Sequence, residues 1–353
     1  MLRVHKPTRQ DLLSMAARFT AASGALSLLY TAGDRWRARR CGNGRLHFPY
    51  IRRRQGPCFQ ILCYHRVNDE QDPFFPGIPV ATFTAQMEML RRHFHVLPLD
   101  ELVDRFIEGD VPRRSIAVTF DDGYRDNYEN AFPVLKRLGL PATIFLTTGV
   151  VGGTSALWHE RIFTAFRETS CATVVIDGKP YSLNTIEEKN TALYVLVRKL
   201  RKCSPDERDN LLRQTEEQLG IEGKYPTPAM LNWQEVKEMA QSTISFGAHT
   251  VSHPILSRLP IPQVSDEIIV SKHHLEDVLR QKVRLFAYPN GQAQDFNNDI
   301  KRIVREAGFS AAVTTVSGLN CAHTDLFALH RGGIWDHDPL VSAVKLGLQR
   351  VLA

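Results

Sequence analysis

Two neighbouring carboxylates, Asp121 and Asp122, follow the apolar run SIAVTF and precede Gly123. The run predicts a buried strand, and an Asp-Gly pair is a common way to end a strand in a tight turn. The carboxyl ends of strands are also where α/β folds place their chemistry. Two carboxylates at such a position can divide the work of holding a metal ion and accepting a proton. Partners elsewhere in the chain must decide between a plain turn and half of a catalytic site.

A pair of histidines supplies candidate partners. His249 and His253 lie four positions apart in FGAHTVSHP, after the short β-like run TISF. A helical turn or a tight loop brings residues at this spacing to one side. Two His and one carboxylate form a common ligand set for catalytic zinc, which leaves positions open for water and substrate. Since strand ends in one parallel sheet converge on one face, the two motifs predict a shared metal site.

Short apolar runs alternate with helical patterns from about Cys58 onwards, beginning with the strand-like CFQILCYH. This βα alternation predicts a parallel sheet, either open or closed into a barrel. A helix-rich stretch, about 156–225, reads as an insertion between two barrel units. We therefore expect an N-terminal extension over 1–56 and a barrel domain over 57–353.

The N-terminal extension is strongly basic. Between Met1 and Gly56 there are 12 Lys and Arg against 2 Asp and Glu, in a chain whose formal net charge is +6, so the remainder is net negative. Apolar residues from Leu12 to Leu29 fit one helical face, which could lie on an anionic membrane surface. A helix packed on the domain or a loose tail is the alternative. No nucleic-acid partner is expected, because the positive charge does not extend over the body.

Cellular location is predicted from targeting signals and cysteines. Charged Asp11 and Arg18 interrupt the apolar part of the extension, which is therefore not a convincing secretory signal. No apolar run approaches the ~20 residues of a spanning helix. The six cysteines are scattered without CxxC pairs, which predicts neither a zinc-thiolate site nor a disulfide framework. We expect a cytoplasmic protein. Any association with the membrane would be peripheral, through the N-terminal helix.

Three segments together carry a family resemblance. TFDDGY, HTVSHP and RLFAYPNG resemble the three main motifs of the polysaccharide deacetylases, the NodB-homology group of carbohydrate esterases. The similarity covers roughly Cys58 to Gly333, with the insertion outside the motifs. It implies an α/β fold of the distorted (β/α) barrel type. It also implies metal-dependent removal of acetyl groups from N-acetylated sugars of a polysaccharide or glycoconjugate.

The resemblance assigns roles to the matching residues. Asp121 becomes the general base, while Asp122, His249 and His253 hold Zn²⁺ or another divalent transition metal. Arg284 in the third motif is expected to orient the base. Adjacent side chains on an extended backbone point apart, so one carboxylate can face the metal while the other accepts a proton from water.

The acid that protonates the leaving amine is assigned by a weaker match. In family members with a permuted barrel order it lies near the N-terminus in a strand followed by Tyr-His, which ILCYHRV resembles, so His65 is chosen. His330 in FALHRGG is the competitor.

Two substrate contacts are also expected. The resemblance implies that the backbone amide at Asn290 faces the oxyanion, and Tyr124 is expected to line the substrate groove.

Two other functions remain open at this point. The fold and metal site do not name the acyl group, so the chain could hydrolyse another amide or an ester. A non-catalytic carbohydrate-binding barrel is the second alternative. The presence of a base and a full ligand set together argues against it, because binding alone requires neither.

Overall fold

The computed structural model describes residues 58–153, 155–221 and 230–332. The predicted basic extension and its membrane-facing helix lie outside these residues, and the domain boundaries stay predictions. Within the described ranges, no helix is both long enough and apolar enough to cross a membrane.

Parallel strands form the main sheet. Its strands are β1 Gln60–Tyr64, β2 His95–Val96, β3 Ser115–Phe120, β4 Ala142–Leu146, β7 Ile244–Ala248, β8 Leu285–Ala287 and β9 Ala311–Val313. They pair in the order β1-β3-β4-β7-β8-β9, with β2 beside β3, and every one of these pairings is parallel. β3 is buried along its whole length, as its unbroken apolar sequence predicts.

Residues 329–332, here called the closing segment, bridge the two ends of this sheet. Leu329 pairs with Val313 of β9, and Gly332 pairs with Leu62 of β1, both in parallel. The Gly332 amide donates to the Ile61 carbonyl at 2.9 Å. The sheet is thereby curled into a distorted barrel, which confirms the predicted α/β fold.

Helices alternate with these strands. They are α1 Val80–His93, α2 Leu99–Glu108, α3 Phe132–Leu138, α4 Trp158–Glu168, α5 Ile186–Leu200, α6 Pro205–Gln218, α7 Trp233–Ala240, α8 Ile261–Leu279 and α9 Asn298–Glu306. A π-helical turn, Asn127–Ala131, leads into α3. Several begin with a capping box, such as α7, where Asn232 caps the amide of Glu235.

The sheet has an inner and an outer hydrophobic face. Ile61, Ala117, Phe145 and Val313 share the inner cluster, against which α2 packs Leu102. The intervening strand residues belong to a larger cluster shared with the other surrounding helices. Because successive side chains alternate, the inner face continues upward to the polar residues at the carboxyl end of the strands.

The predicted insertion forms a unit with its own core. Helices α4, α5 and α6 and the antiparallel hairpin of β5 Thr173–Ile176 and β6 Lys179–Ser182 lie between β4 and α7 in the chain. Their apolar side chains make a separate cluster that includes Trp158, Phe166 and Leu196. Arg167 of α4 forms an ion pair with Asp72, which ties the insertion to the loop after β1.

A disulfide joins Cys58 to Cys321, across 263 positions of the chain. The prediction of no disulfide is therefore wrong. Sequence spacing could not reveal the pair, because only the barrel closure brings Phe59 beside Asn320. Disulfides persist mainly in oxidising compartments, so one premise of the cytoplasmic prediction is lost, and the location itself stays a prediction.

Candidate active site

The Asp-Asp-Gly turn separates its two carboxylates by backbone geometry. β3 ends at Phe120, and Asp122 and Gly123 both adopt left-handed conformations, with φ of 71° and 87°. A Cβ on Gly123 would lie 2.6 Å from Leu146 Cδ2, so glycine is required there. Asp121 and Asp122 consequently face different partners, although they are adjacent in sequence.

Asp122 faces the two predicted histidines. Its Oδ1 lies 3.5 Å from His249 Nε2 and 3.3 Å from His253 Nε2, and all three side chains are buried. The three residues form one of the two groups that could hold a metal ion in the described residues. They follow β3 and β7, as the prediction of converging strand ends required.

These residues fit a divalent cation. Asp122 Oδ1 is buried and has no hydrogen-bond partner, as expected of an oxygen kept for an ion. Burial raises the pKa of the Asp122 carboxyl, and the charges of Asp121 and Glu160 raise it further. Burial also lowers the pKa of His249 to about 4 and that of His253 well below its usual value. Both imidazoles are therefore neutral, which is the ligand form.

The two histidines are positioned in different ways, His249 through its ring and His253 through its backbone. The Nδ1 of His249 lies 2.8 Å from the Ala287 carbonyl, to which it donates, so its Nε2 lone pair faces Asp122. His253 lies in a loop and has a left-handed backbone with φ of 59°. Its amide donates to the Thr250 hydroxyl at 3.0 Å. The i, i+4 spacing thus works through a tight loop, the second of the two geometries considered.

Asp121 is held by a buried arginine from the closing segment. Arg331 donates to both carboxylate oxygens, at 2.7 and 2.6 Å, and both residues are 1% exposed. Burial raises the pKa of Asp121, but the charge and hydrogen bonds of Arg331, together with the charges of His249 and His65, outweigh burial and hold the pKa below its usual value. The ionised carboxylate can accept a proton, and its orientation is fixed by two charge-assisted hydrogen bonds.

The prediction that Arg284 orients the base is wrong. Arg284 forms a bidentate pair with Asp104 of α2, with one hydrogen bond of 2.8 Å, and both side chains are more than one-third exposed. The reason is positional: Arg284 immediately precedes β8 and so lies at the amino end of that strand. Asp121 lies at the opposite, carboxyl edge of the parallel sheet.

His65 lies beside the predicted base. Its Nε2 is 4.0 Å from Asp121 Oδ2, and about a quarter of its side chain is exposed. Burial lowers the pKa of His65, with the Asp121 charge acting in the opposite direction. Buried Cys63, two residues earlier, points to the same carboxylate and lies 3.6 Å from it. His65 can therefore reach both the base and the solvent.

The competitor His330 has different surroundings. Its amide donates to Asn320 Oδ1 at 2.8 Å, and its ring packs over Gly318. Neighbouring side chains of an extended segment alternate, so Arg331 enters the barrel while His330 faces away from it. Of the two, His65 is the histidine placed at Asp121.

Each of the two predicted substrate contacts makes at least one side-chain hydrogen bond within the protein. Tyr124 is 3% exposed, and its hydroxyl donates to Glu160 at 2.7 Å. Asn290 follows β8 with φ of 58°, and its Oδ1 accepts a hydrogen bond from Arg201 of the insertion. Their contacts with a substrate stay predictions.

The insertion also brings residues to the site that sequence reasoning missed. His159 Nε2 lies 3.9 Å from Asp122 Oδ2. Burial lowers the pKa of His159 to about 3. Phe75, from the loop after β1, has its ring within 6 Å of the rings of both His65 and His159. The WHER sequence of α4 is a possible signal, but it lies outside the three family motifs.

Comparison with known proteins agrees with this geometry. The sequence model of the family described as "Polysaccharide deacetylase" matches residues 108–312, which is more than half of the chain. The chain belongs to the polysaccharide deacetylase family. This family assignment covers both the Asp-Asp turn and the histidine pair, while His65 and Arg331 lie outside the matched range.

Two curated relatives have partial similarity to this polysaccharide deacetylase family member. YxkH of Bacillus subtilis, whose own description as a polysaccharide deacetylase is provisional, is 24% identical over 77% of this chain and 69% of its own. A poly-β-1,6-N-acetyl-D-glucosamine N-deacetylase of Staphylococcus epidermidis is 40% identical, over 27% of this chain. That match spans only 37% of the staphylococcal protein's length.

Solved structures share the fold. A Streptococcus pyogenes deacetylase, PplD, solved with acetate, has a TM-score of 0.57 at 20% identity and covers 84% of this chain and 99% of its own. IcaB from Ammonifex degensii has a TM-score of 0.55 at 21% identity, and covers 84% and 98%. At this identity the likeness supports the deacetylase-type distorted barrel and no finer statement.

Proposed function

We propose that this protein is a metal-dependent hydrolase that removes acetyl groups from an N-acetylated saccharide. One observation carries the proposal: two adjacent buried carboxylates have separate partners. Asp122 faces His249 and His253, whereas Asp121 is held by Arg331. A site that only bound sugar would not need a ligand set and an oriented base side by side.

Asp122, His249 and His253 would hold the metal, for which we propose Zn²⁺ because two imidazoles and a carboxylate suit it. When bound, the ion supplies Lewis-acid polarisation of the acyl carbonyl and acidifies a water molecule. The residues' own contribution is to present one oxygen from the turn after β3 and two neutral nitrogens from the loop after β7.

Proton transfer falls to residues on the other side of the turn. The Asp121 carboxylate takes a proton from the attacking water, while Arg331 keeps the carboxylate ionised and fixed. The His65 imidazolium gives a proton to the nitrogen of the leaving amine, without which that amine is a poor leaving group. The 4.0 Å between His65 Nε2 and Asp121 Oδ2 lets both act on one acetamide group.

The substrate class is argued from chemistry and similarity. A relative named for poly-β-1,6-N-acetyl-D-glucosamine supports an N-acetylhexosamine, polymeric or carried on a glycoconjugate. The site geometry does not name the acyl group, so another amide or an ester is the alternative. The finer choice among polymeric, lipid-linked and small glycoside substrates requires assay.

Acetate release tests the proposal directly. Purified protein is incubated with a polymeric, a lipid-linked and a free N-acetylhexosamine substrate, before and after chelation and after zinc is restored. Asp122→Asn and Asp121→Asn form a matched pair of same-shape changes, one at a proposed metal ligand and one at the proposed base. We expect the first to lose bound zinc and the second to keep zinc while losing turnover. Acetate release that persists after thorough chelation, or equal zinc loss in both variants, contradicts the proposal.

A further inference from the structure

The first turn of α4 reaches the proposed metal centre from the insertion. His159 is buried, and its Nε2 lies 3.9 Å from Asp122 Oδ2. The other oxygen, Oδ1, faces His249 and His253. The Asp122 carboxylate is thus approached from both sides, by the predicted ligands at one oxygen and by an imidazole of the insertion at the other.

Hydrogen bonding fixes which atom of His159 carries the hydrogen. The Tyr124 hydroxyl donates to Glu160 Oε1 at 2.7 Å and lies 3.1 Å from His159 Nε2. A hydroxyl has one hydrogen, so its oxygen must accept from His159. The Nε2–H group is therefore donated to Tyr124, and the 3.9 Å between Nε2 and Asp122 Oδ2 is a contact rather than a hydrogen bond. Glu160 comes from the same turn of α4, so this helix supplies both ends of the hydrogen-bonded series His159–Tyr124–Glu160.

We propose that His159 is a positioning residue for the metal ligand Asp122, and that Glu160 and Tyr124 lock its imidazole ring against that carboxylate. The inference rests on the metal role proposed above for Asp122. A ring locked in contact with the second oxygen, and packed edge-on against the His253 ring with 5.1 Å between centroids, restricts the rotation of both side chains. Partners of this kind change metal affinity by about 10- to 100-fold when removed.

A packing role is the competing explanation. His159 is surrounded by aromatic rings, among them Phe163, whose centroid lies 5.9 Å away. If only volume matters, an apolar side chain should serve as well as imidazole. If the N–H group matters, a shorter apolar side chain must fail where an amide donor succeeds. His159→Leu and His159→Gln distinguish these cases.

Zinc affinity of the full chain is the readout, measured by competition with a chromophoric chelator and independent of turnover. We expect His159→Leu to weaken zinc binding by about 10- to 100-fold, and His159→Gln to stay within about threefold of wild type. Tyr124→Phe, which frees the imidazole, should weaken binding by less, with no further loss when combined with His159→Leu. Phe163→Leu is the matched control and should bind zinc as wild type does.

Several outcomes overturn the inference. They are wild-type zinc affinity in His159→Leu, an equal loss in Phe163→Leu, and no zinc binding by the wild-type chain. His159→Leu is checked for folding by circular dichroism. If it does not fold, wild-type zinc affinity in Tyr124→Phe contradicts the proposed role of the hydrogen-bonded series His159–Tyr124–Glu160. A wild-type protein that binds zinc but releases no acetate refutes the proposed function, while the zinc comparison still decides the role of His159.

Discussion

Replacing Arg331 with Met tests the buried ion pair that holds the proposed base. Methionine keeps much of the side chain's length and removes the guanidinium, so the Asp121 carboxylate loses both hydrogen bonds, of 2.7 and 2.6 Å. Each partner is 1% exposed, and water cannot readily replace the lost donors. Removing one partner of a buried pair costs about 3–5 kcal/mol, because the remaining charge is left uncompensated.

The pH dependence of this loss has a definite sign. In the wild type the folded-state pKa of Asp121 lies below its unfolded value, so the pair stabilises the fold above about pH 4. That contribution disappears as the pH falls through the folded-state pKa. In Arg331→Met burial acts without this opposing charge, and the pKa of Asp121 rises. The destabilisation is therefore largest at neutral pH and shrinks towards about pH 4, where protonation removes the unpaired charge.

Urea unfolding at neutral and acidic pH, together with a pH–rate profile, measures both effects. We expect kcat to fall by about 10²-fold or more and the acidic limb of the profile to move to higher pH. Arg284→Met is the matched control, because its partner Asp104 is also a carboxylate but the pair is exposed. It should cost no more than about 1 kcal/mol and leave the acidic limb in place. A larger loss of stability and a shifted acidic limb in Arg284→Met, with neither change in Arg331→Met, would refute the reasoning.

Three further predictions concern other parts of the molecule. His65→Ala should lose the alkaline limb of the pH–rate profile and about 10²-fold in kcat with zinc still bound, whereas His330→Ala should keep the limb; the opposite pattern would reassign the acid. Because burial lowers the pKa of His65, this limb should begin at a more acidic pH than an exposed histidine gives. Replacing both Cys58 and Cys321 by Ser should lower the free energy of unfolding by about 2–4 kcal/mol in a urea titration, and an unchanged midpoint would contradict the disulfide. Deleting the basic segment 1–56 should abolish flotation with anionic liposomes; equal flotation would exclude its predicted role.

Local patterns were sufficient to predict the parallel sheet and the convergence of the three candidate metal ligands. The burial of β3 was visible in SIAVTF, and Asp122, His249 and His253 follow strands whose ends a parallel sheet must bring together. Their placement therefore depended on strand direction alone. No knowledge of the barrel's closure was needed.

Arg331 and His159 depend on information that local patterns lack. Arg331 reaches Asp121 because the closing segment lies between β9 and β1, and the register of that contact is set by tertiary packing. Arg284 had the right residue type within a recognised motif, but it lies at the wrong end of its strand. His159 belongs to a helix of the insertion, whose docking on the barrel could not be read from spacing.

The position of Arg331 has a consequence for biosynthesis. It follows Asp121 by 210 residues, so a ribosome must add the whole insertion and most of the sheet before the base acquires its partner. Contacts so distant in sequence form late, since the entropy of closing a long loop opposes them. A nascent chain that has made its Asp-Asp turn and its histidine loop would thus bring the proposed metal ligands together before the proposed base has its partner.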